Sequence, residues 1–185
     1  MMQLRNLQIT KEWTLFLDRD GVINRRIIDG YVTCPEEFEF LNNVPESIAT
    51  LSGIFNRIIV VTNQQGIGKG LYTAADLSRV HEKMKRGVEA AGGKISAVYF
   101  APQLASENSP MRKPGIGMAL KAREDFPEID FSKSIMVGDS KSDMEFAIAA
   151  GMIAVFCGEK ENSLAKLNFH SLSAFASYLA EHLQQ

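Results

Sequence analysis

Cysteine is nearly missing from this chain of 185 residues: Cys34 and Cys157 are the two, no CxxC occurs, and the histidines His81, His170 and His182 stand far apart. That pattern excludes a disulfide framework and leaves no soft ligand set for a structural metal, so no zinc is expected. Long apolar runs are missing as well, none approaching the roughly 18 residues that cross a bilayer. Met1 to Lys11 are mixed and polar, unlike the charged-then-apolar order of an export signal. Charge of one sign is also lacking: the net value is −2, from 20 Lys and Arg against 22 Asp and Glu, scattered along the chain. No basic face would draw it to nucleic acid or an anionic membrane. These absences predict a cytoplasmic protein with neither nucleic-acid nor membrane partners, and any anion it handles must be gripped locally.

What is present is an alternation. Short β-branched or aromatic runs at 13–17, 57–62, 97–101, 134–138 and 152–156 are each followed by a helical pattern. Strands separated by helices require parallel pairing with crossovers. The helix signals are independent of the strand signals. Pro45 opens one helix; Thr73 with Asp76 forms a capping box for a long one ending near Gly92-Gly93; Pro114-Gly115 precedes a third; Ser142 with Glu145 caps a fourth that stops at Gly151; Ser171 or Ser173 begins the last. The fold class expected is α/β, a doubly wound parallel sheet in a single domain over 1–185, with ligands at the carboxyl ends of the strands. Two stretches break the alternation. Residues 25–43 are too polar and irregular for a crossover helix and read as a flap or short hairpin; residues 102–114 form a Ser-, Asn- and Pro-rich loop. There is little room for a separate lid.

On this frame Asp18 and Asp20 end the first strand, Asp139 ends the fourth, and Asp143 lies at the start of the helix that follows. Each acid alone is a common turn or helix cap, Asp143 most of all. Together, close negative charges repel and raise one another's pKa, which implies a cation. Oxygen-only ligands favour Mg²⁺. Thr62 and Asn63 end the second strand with a hydroxyl and an amide able to bond a phosphoryl oxygen. The loop 64–70 after them is no Walker A cradle, because Lys69 precedes Gly in place of Ser or Thr. Arg112 and Lys113 supply adjacent cations before a helix, so that Lys113 would neutralise both Asp18 and an incoming phosphate. The chemistry these parts allow is attack of a carboxylate on phosphorus with charge stabilised around it. Asp20, two residues on, can serve as acid and base provided its pKa is raised relative to that of Asp18.

In order and type these motifs resemble the haloacid dehalogenase superfamily of phosphatases over residues 14–157. The four motifs stand here as Asp18-Arg19-Asp20-Gly21-Val22-Ile23-Asn24, Val61-Thr62-Asn63, Arg112-Lys113-Pro114 and Gly138-Asp139-Ser140-Lys141-Ser142-Asp143. The resemblance implies Asp18 as nucleophile and Asp20 as general acid/base. It implies Thr62, Asn63 and Lys113 as phosphate-binding groups, and Mg²⁺ held by Asp18, the Asp20 backbone carbonyl and Asp139, with Asp143 behind them. Gly30-Tyr31-Val32, Phe38 to Phe40 and Gly66-Ile67 narrow it to a nearly capless branch, that of the D-glycero-D-manno-heptose 1,7-bisphosphate phosphatases and the related histidinol-phosphate phosphatase domains. A small phosphorylated substrate follows, a heptose bisphosphate first, with histidinol phosphate or another sugar phosphate as alternatives. A non-catalytic module that binds a phosphorylated metabolite is the reading from a different class. Arg112 would then touch the substrate beyond the transferred phosphate, with Arg25, Arg26 and Tyr31 as further candidates. The chain departs from that branch in two places. Residues 99–111 lack the Cys/His zinc loop, and Ser140 stands where the family carries a phosphate-binding Lys, with Lys141 displaced by one. No apolar interface stripe is evident, so a monomer is expected.

Overall fold

In the computed structural model, which describes residues 9–183, six strands form one all-parallel sheet: β1 Thr14–Leu17, β2 Arg57–Asn63, β3 Ala97–Ala101, β4 Ser134–Gly138, β5 Ile153–Cys157 and β6 Leu167–Phe169. Their order is β3-β2-β1-β4-β5-β6. The polar N-terminal stretch lies, through residue 8, outside the described residues. The five expected strands are present within a residue or so at each end. The sixth was not anticipated, since Leu-Asn-Phe is too short and too polar at its centre to read as a strand before β5 is there to pair with it.

Both faces of the sheet are covered, which is why β1 and β4 are buried at every position and read as continuous apolar runs. Alternate residues divide between two cores. Leu15, Leu17, Ile58, Val60, Ile135 and Val137 pack with Ile48 and Leu51 of α1 (Val44–Ile54), Val80 and Met84 of α3 (Ala74–Ala90) and Phe175 of α6 (Leu172–Leu183). Phe16, Ile59, Val61 and Met136 face the other way, onto Met118 and Ala122 of α4 (Gly117–Asp125) and Met144 and Ala147 of α5 (Lys141–Ala150). A single turn, α2 (Gln65–Gly68), follows β2 where only a loop was expected.

The capping box of α3 is formed by Thr73 and Asp76 as the sequence indicates, and Ser171 Oγ accepts from the Ala174 amide at the start of α6. The cap of α5 is a correction. Ser140, not Ser142, accepts from the Asp143 amide, and the Asp143 side chain returns to the Ser140 amide at 3.0 Å. Glu145 pairs instead with Lys141 on the exposed face. Starting α5 one residue after Ser140 turns Asp143 back toward the ends of β1 and β4. Residues 25–43 contain one 3₁₀ turn, Pro35–Glu37, and a single bridge from Asn24 to Phe40, so the strand ends carry loops and no inserted cap domain.

Candidate active site

The sheet changes winding direction at β1, and there the chain places its acids. Asp18 follows β1, Asp139 follows β4, and carboxylate oxygens of Asp18, Asp139 and Asp143 lie within 4.8 Å of one another. Two glycines permit this approach. Gly21 sits at φ +93°, and a Cβ there would stand 1.9 Å from Asp139 Oδ2; a Cβ on Gly138 would stand 2.2 Å from Asp143 Cβ. Lys113 reaches in from the loop before α4 and is buried: its Nζ lies 2.7 Å from Asp18 Oδ1, 2.6 Å from Asp143 Oδ1 and 2.8 Å from the Val61 carbonyl. The expected neutralisation of Asp18 by Lys113 is therefore present. Asp143, which sequence alone left as a plausible cap, spends one oxygen on Lys113 and the other on the Ser140 amide and hydroxyl.

Burial and charge act unequally on these groups. Burial pushes the Asp18 carboxyl up to about 7; Lys113 opposes that, and Asp143, Asp139 and Asp20 add to it. Asp139 is pushed up to about 6, mainly by burial, with Arg26 working against the rise. Asp20 goes the other way: burial is outweighed by the Arg19 charge and by hydrogen bonds from Arg19, Asn24 and Gln64, so its carboxyl is held below the usual range. The order that an acid role for Asp20 requires, Asp20 above Asp18, is thus not supplied by the protein's own groups. Lys113 is raised despite its burial, because Asp143 and Asp18 both favour the ammonium.

A cation fits this site. One guanidinium nitrogen of Arg26 donates to Asp139 Oδ1 at 2.8 Å and to the Asp20 carbonyl at 3.2 Å, two of the oxygens expected around Mg²⁺. Arg26 thereby stands in for a positive charge. The all-oxygen donor set of Asp18, Asp139 and the Asp20 carbonyl suits Mg²⁺, with room left for water and phosphate oxygens.

The neighbouring groups converge on the same place. Thr62 is buried at the end of β2, and its Oγ1 accepts from Gln64 Nε2 at 2.8 Å. The same Nε2 donates to Asp20 Oδ2 at 2.9 Å, while Tyr72 OH donates to Gln64 Oε1 at 2.5 Å. Asn63 acts on the backbone of Lys113, accepting from its amide at 3.0 Å and donating to its carbonyl at 3.1 Å. Above them opens a cleft of about 630 Å³, bordered by Arg26, Tyr31, Lys69 and Arg112. Lys69 Nζ donates to Tyr31 OH at 3.1 Å, and Arg112 donates to the Gln103 carbonyl at 3.4 Å. Among the described residues neither cation pairs with a carboxylate. Gly66 leaves room for both tyrosine rings: a Cβ there would stand 2.2 Å from the Tyr72 ring and 3.1 Å from that of Tyr31.

Two sequence candidates fall outside the cleft. Arg25 pairs with Glu39 at 3.4 Å, and Lys141 pairs with Glu145 at 3.2 Å; Ser140 and Ser142 line the cleft wall in place of the lysine. Sequence reading missed Gln64, Lys69 and Arg19. For Gln64 a signal existed: it follows Thr62 by two, and alternate residues of an extended strand share a face. Lys69 carried none once the loop was read as a failed Walker motif.

A buried aspartate on a lysine, beside a second carboxylate and a magnesium-type oxygen set at the switch point of a doubly wound sheet, is the setting of a phosphatase. Residues 16–170 match the family model described as polynucleotide kinase 3 phosphatase. The D-glycero-alpha-D-manno-heptose-1,7-bisphosphate 7-phosphatase of Burkholderia mallei is 41% identical over 149 residues, covering 77% of both chains. The D-glycero-beta-D-manno-heptose-1,7-bisphosphate 7-phosphatase of Pseudomonas putida is 36% identical over 173 residues, covering 89% of this chain and 98% of its own. The crystal structure of the D,D-heptose 1,7-bisphosphate phosphatase from B. bronchiseptica, complexed with magnesium and phosphate, superposes with a TM-score of 0.83 at 27% identity, covering 91% of this chain and 98% of that one. The chain belongs to the haloacid dehalogenase superfamily of phosphatases, in the branch of the D-glycero-D-manno-heptose 1,7-bisphosphate phosphatases.

Proposed function

We propose that this phosphatase removes one phosphate from D-glycero-D-manno-heptose 1,7-bisphosphate, with Asp18 as nucleophile and Asp20 as acid and base. The observation that carries the reading is Asp18 itself, at the floor of the cleft, with one oxygen on Lys113 and Asp20 two residues on. An Asp18 oxygen attacks phosphorus in line, forming an aspartyl-phosphate as the bond from phosphorus to the sugar oxygen breaks; Asp20 gives that oxygen its proton. Water then attacks the phosphorus, Asp20 takes the water's proton, and the Asp18–phosphorus bond breaks to release inorganic phosphate. Lys113 and Thr62 stabilise the equatorial oxygens, and Asn63 holds Lys113 in place. Asp18, Asp139 and the Asp20 carbonyl would hold Mg²⁺, which would supply positive charge to offset that of the phosphate. Asp143 keeps Lys113 aimed. The donors around Asp20 make it a weak base on its own; a phosphate dianion docked beside it raises its proton affinity by like-charge repulsion, as an acid role requires.

The substrate assignment is supported by the relatives' named activity and by Arg112 and Lys69, two cations across the cleft that pair with no carboxylate among the described residues, suited to the second phosphate and the sugar hydroxyls. The two relatives differ in the anomer they are named for, so both anomers belong in the test. Phosphate release is measured with Mg²⁺ on the α and β heptose bisphosphates, histidinol phosphate, hexose phosphates and an oligonucleotide with a terminal phosphate, with Asp18→Asn as control. One heptose anomer should lead in kcat/KM by at least about tenfold, on the scale of discrimination that polar contacts supply. Equal weak turnover of all would overturn the substrate; no turnover of any, with Asp18→Asn binding ligand as well as the unaltered protein, would favour the binding module. On this reading the chain acts as a cytoplasmic monomer, one domain throughout, without zinc or nucleic acid. Sedimentation and elemental analysis check the first and the third of these.

A further inference from the structure

We propose that His81, on α3 and outside the phosphate cleft, is a positioning residue for the Asp20 carboxylate, acting through Arg19; the inference rests on the acid/base role given to Asp20 above. Arg19 lies between Asp18 and Asp20 in sequence, yet is 0% exposed and does not line the cleft. One guanidinium nitrogen, Nη2, donates to Asp20 Oδ1 at 2.9 Å and Oδ2 at 3.0 Å. A second, Nη1, lies 3.3 Å from His81 Nε2, and the third, Nε, has no hydrogen-bond partner among the described residues. A guanidinium can only donate, so His81 must accept with Nε2 and carry its proton on Nδ1. That tautomer is neutral, in keeping with the burial and the Arg19 charge that push the imidazole down to about 3.

The arrangement places a fixed positive charge behind a carboxylate that must point at the leaving oxygen. Nη2 alone would act as a pivot, since both of its bonds end on the same carboxylate. The bond to His81 removes that freedom by tying the far side of the guanidinium plane to a helix. The helix is itself fixed: Thr73 and Asp76 cap it, Leu77, Val80 and Met84 are fully buried, and the His81 ring packs at 6.3 Å on Phe100 of β3. With Arg19 anchored, Asn24 at 3.0 Å and Gln64 at 2.9 Å complete a rigid cradle around Asp20. A core histidine needed only for packing would have no reason to present a bare ring nitrogen to a buried cation. Such a cation requires partners for its donors, and Arg19 has few.

The two roles separate by leaving group. In the first step, formation of the aspartyl-phosphate, a sugar alkoxide cannot leave without a proton whereas a nitrophenolate leaves as the anion, so there loss of Asp20 function falls on sugar phosphates and spares p-nitrophenyl phosphate, while the water step is common to both. The kcat/KM of both esters, which reports that first step and not hydrolysis of the shared intermediate, is measured for Asp20→Asn, His81→Leu, His81→Met and His81→Gln. Because the ratio of the two rates is taken within one preparation, partial unfolding cancels. Asp20→Asn should lower the sugar-phosphate rate roughly 10²- to 10⁴-fold more than the nitrophenyl rate. His81→Leu and His81→Met should shift the ratio in the same direction by on the order of tenfold, as misplacing a catalytic group does. His81→Gln, whose Oε1 can accept from Arg19, should restore it. Equal losses on both esters for His81→Leu and His81→Met, or a Gln variant no better than these, would overturn the role of His81. A symmetric loss in Asp20→Asn would instead place the fault with the acid/base assignment.

Discussion

At the scale of single residues the site is a balance of buried charges, and its behaviour follows from which one is removed. Lys113 is 4% exposed and faces two carboxylates, Asp18 at 5% and Asp143 at 1%. Replacing it by Met leaves both without their cation and should cost about 3–5 kcal/mol of stability, the range for breaking a buried pair from one side. Urea unfolding measures this, and added Mg²⁺ should recover part of the loss. Metal binding should depend on pH in a definite direction. Asp18 and Asp139, pushed up to about 7 and about 6, carry protons that a metal must displace, so affinity should fall by at least roughly tenfold from pH 8 to pH 5.5. Titration calorimetry reads this directly, and a flat profile would argue against these carboxylates as ligands. Arg26 competes for the same oxygens. Arg26→Gln should tighten Mg²⁺ binding roughly three- to fivefold at pH 8, the worth of one half-exposed ion pair; weaker binding would mean that Arg26 assists the metal.

Elements deliver these residues, and their ends decide how. The cap of α5 is Ser140, which fixes the turn that sends Asp143 back under Lys113. Ser140→Ala should cost about 1 kcal/mol, the usual worth of a cap, whereas Ser142→Ala should stay within about 0.5 kcal/mol. Equal effects in urea unfolding would restore Ser142 as the cap. Where β1 gives way to its turn, Gly21 answers to backbone and to space at once. With φ at +93° and a Cβ directed onto Asp139 Oδ2, Gly21→Ala must move the Asp139 carboxylate. The expected result is a loss of Mg²⁺ affinity of at least about tenfold, comparable with loss of a group that orients a ligand.

For the whole molecule, acid stability is a property of how the layers enclose His81, carried on α3, against Arg19 and Phe100 of β3. The ordinary imidazole value is 6.5, and burial together with Arg19 pushes this one down to about 3. The unfolded chain therefore takes up a proton that the fold refuses. This contribution is absent above about pH 6.5, destabilises progressively as pH falls below it, and levels off near pH 3. By linkage the loss reaches about 2 kcal/mol at pH 5. His81→Gln should lose less stability between pH 7 and pH 5 than the unaltered protein, measured by urea unfolding at each pH. The sheet order accounts for the location of the chemistry. With β1 and β4 adjacent and connections leaving on opposite sides, a crevice opens at their carboxyl ends, where Asp18 and Asp139 stand.

The sequence by itself determined the reaction class and most of the frame. β-branched runs separated by capped helices dictate a parallel sheet, and acids at two strand ends, with Thr62 and Lys113 beside them, dictate phosphate chemistry at one edge. Those signals are local, carried by periodicity, caps and spacing, and so they survive reading in one dimension. Only the tertiary structure decided which partner each charge has. Arg26 against Arg25, Ser140 against Ser142, Gln64 bridging Thr62 and Asp20, and Lys69 beside Tyr31 all depend on contacts between segments far apart in the chain or on a turn's exact start. The relative acidity of Asp18 and Asp20 depended on it too. Both are strand-end aspartates of one motif, and the difference between them comes from what surrounds each: three carboxylates and a lysine for one, an arginine and two amides for the other. Electrostatic energy varies with distance and burial in three dimensions, and neither is written in residue spacing.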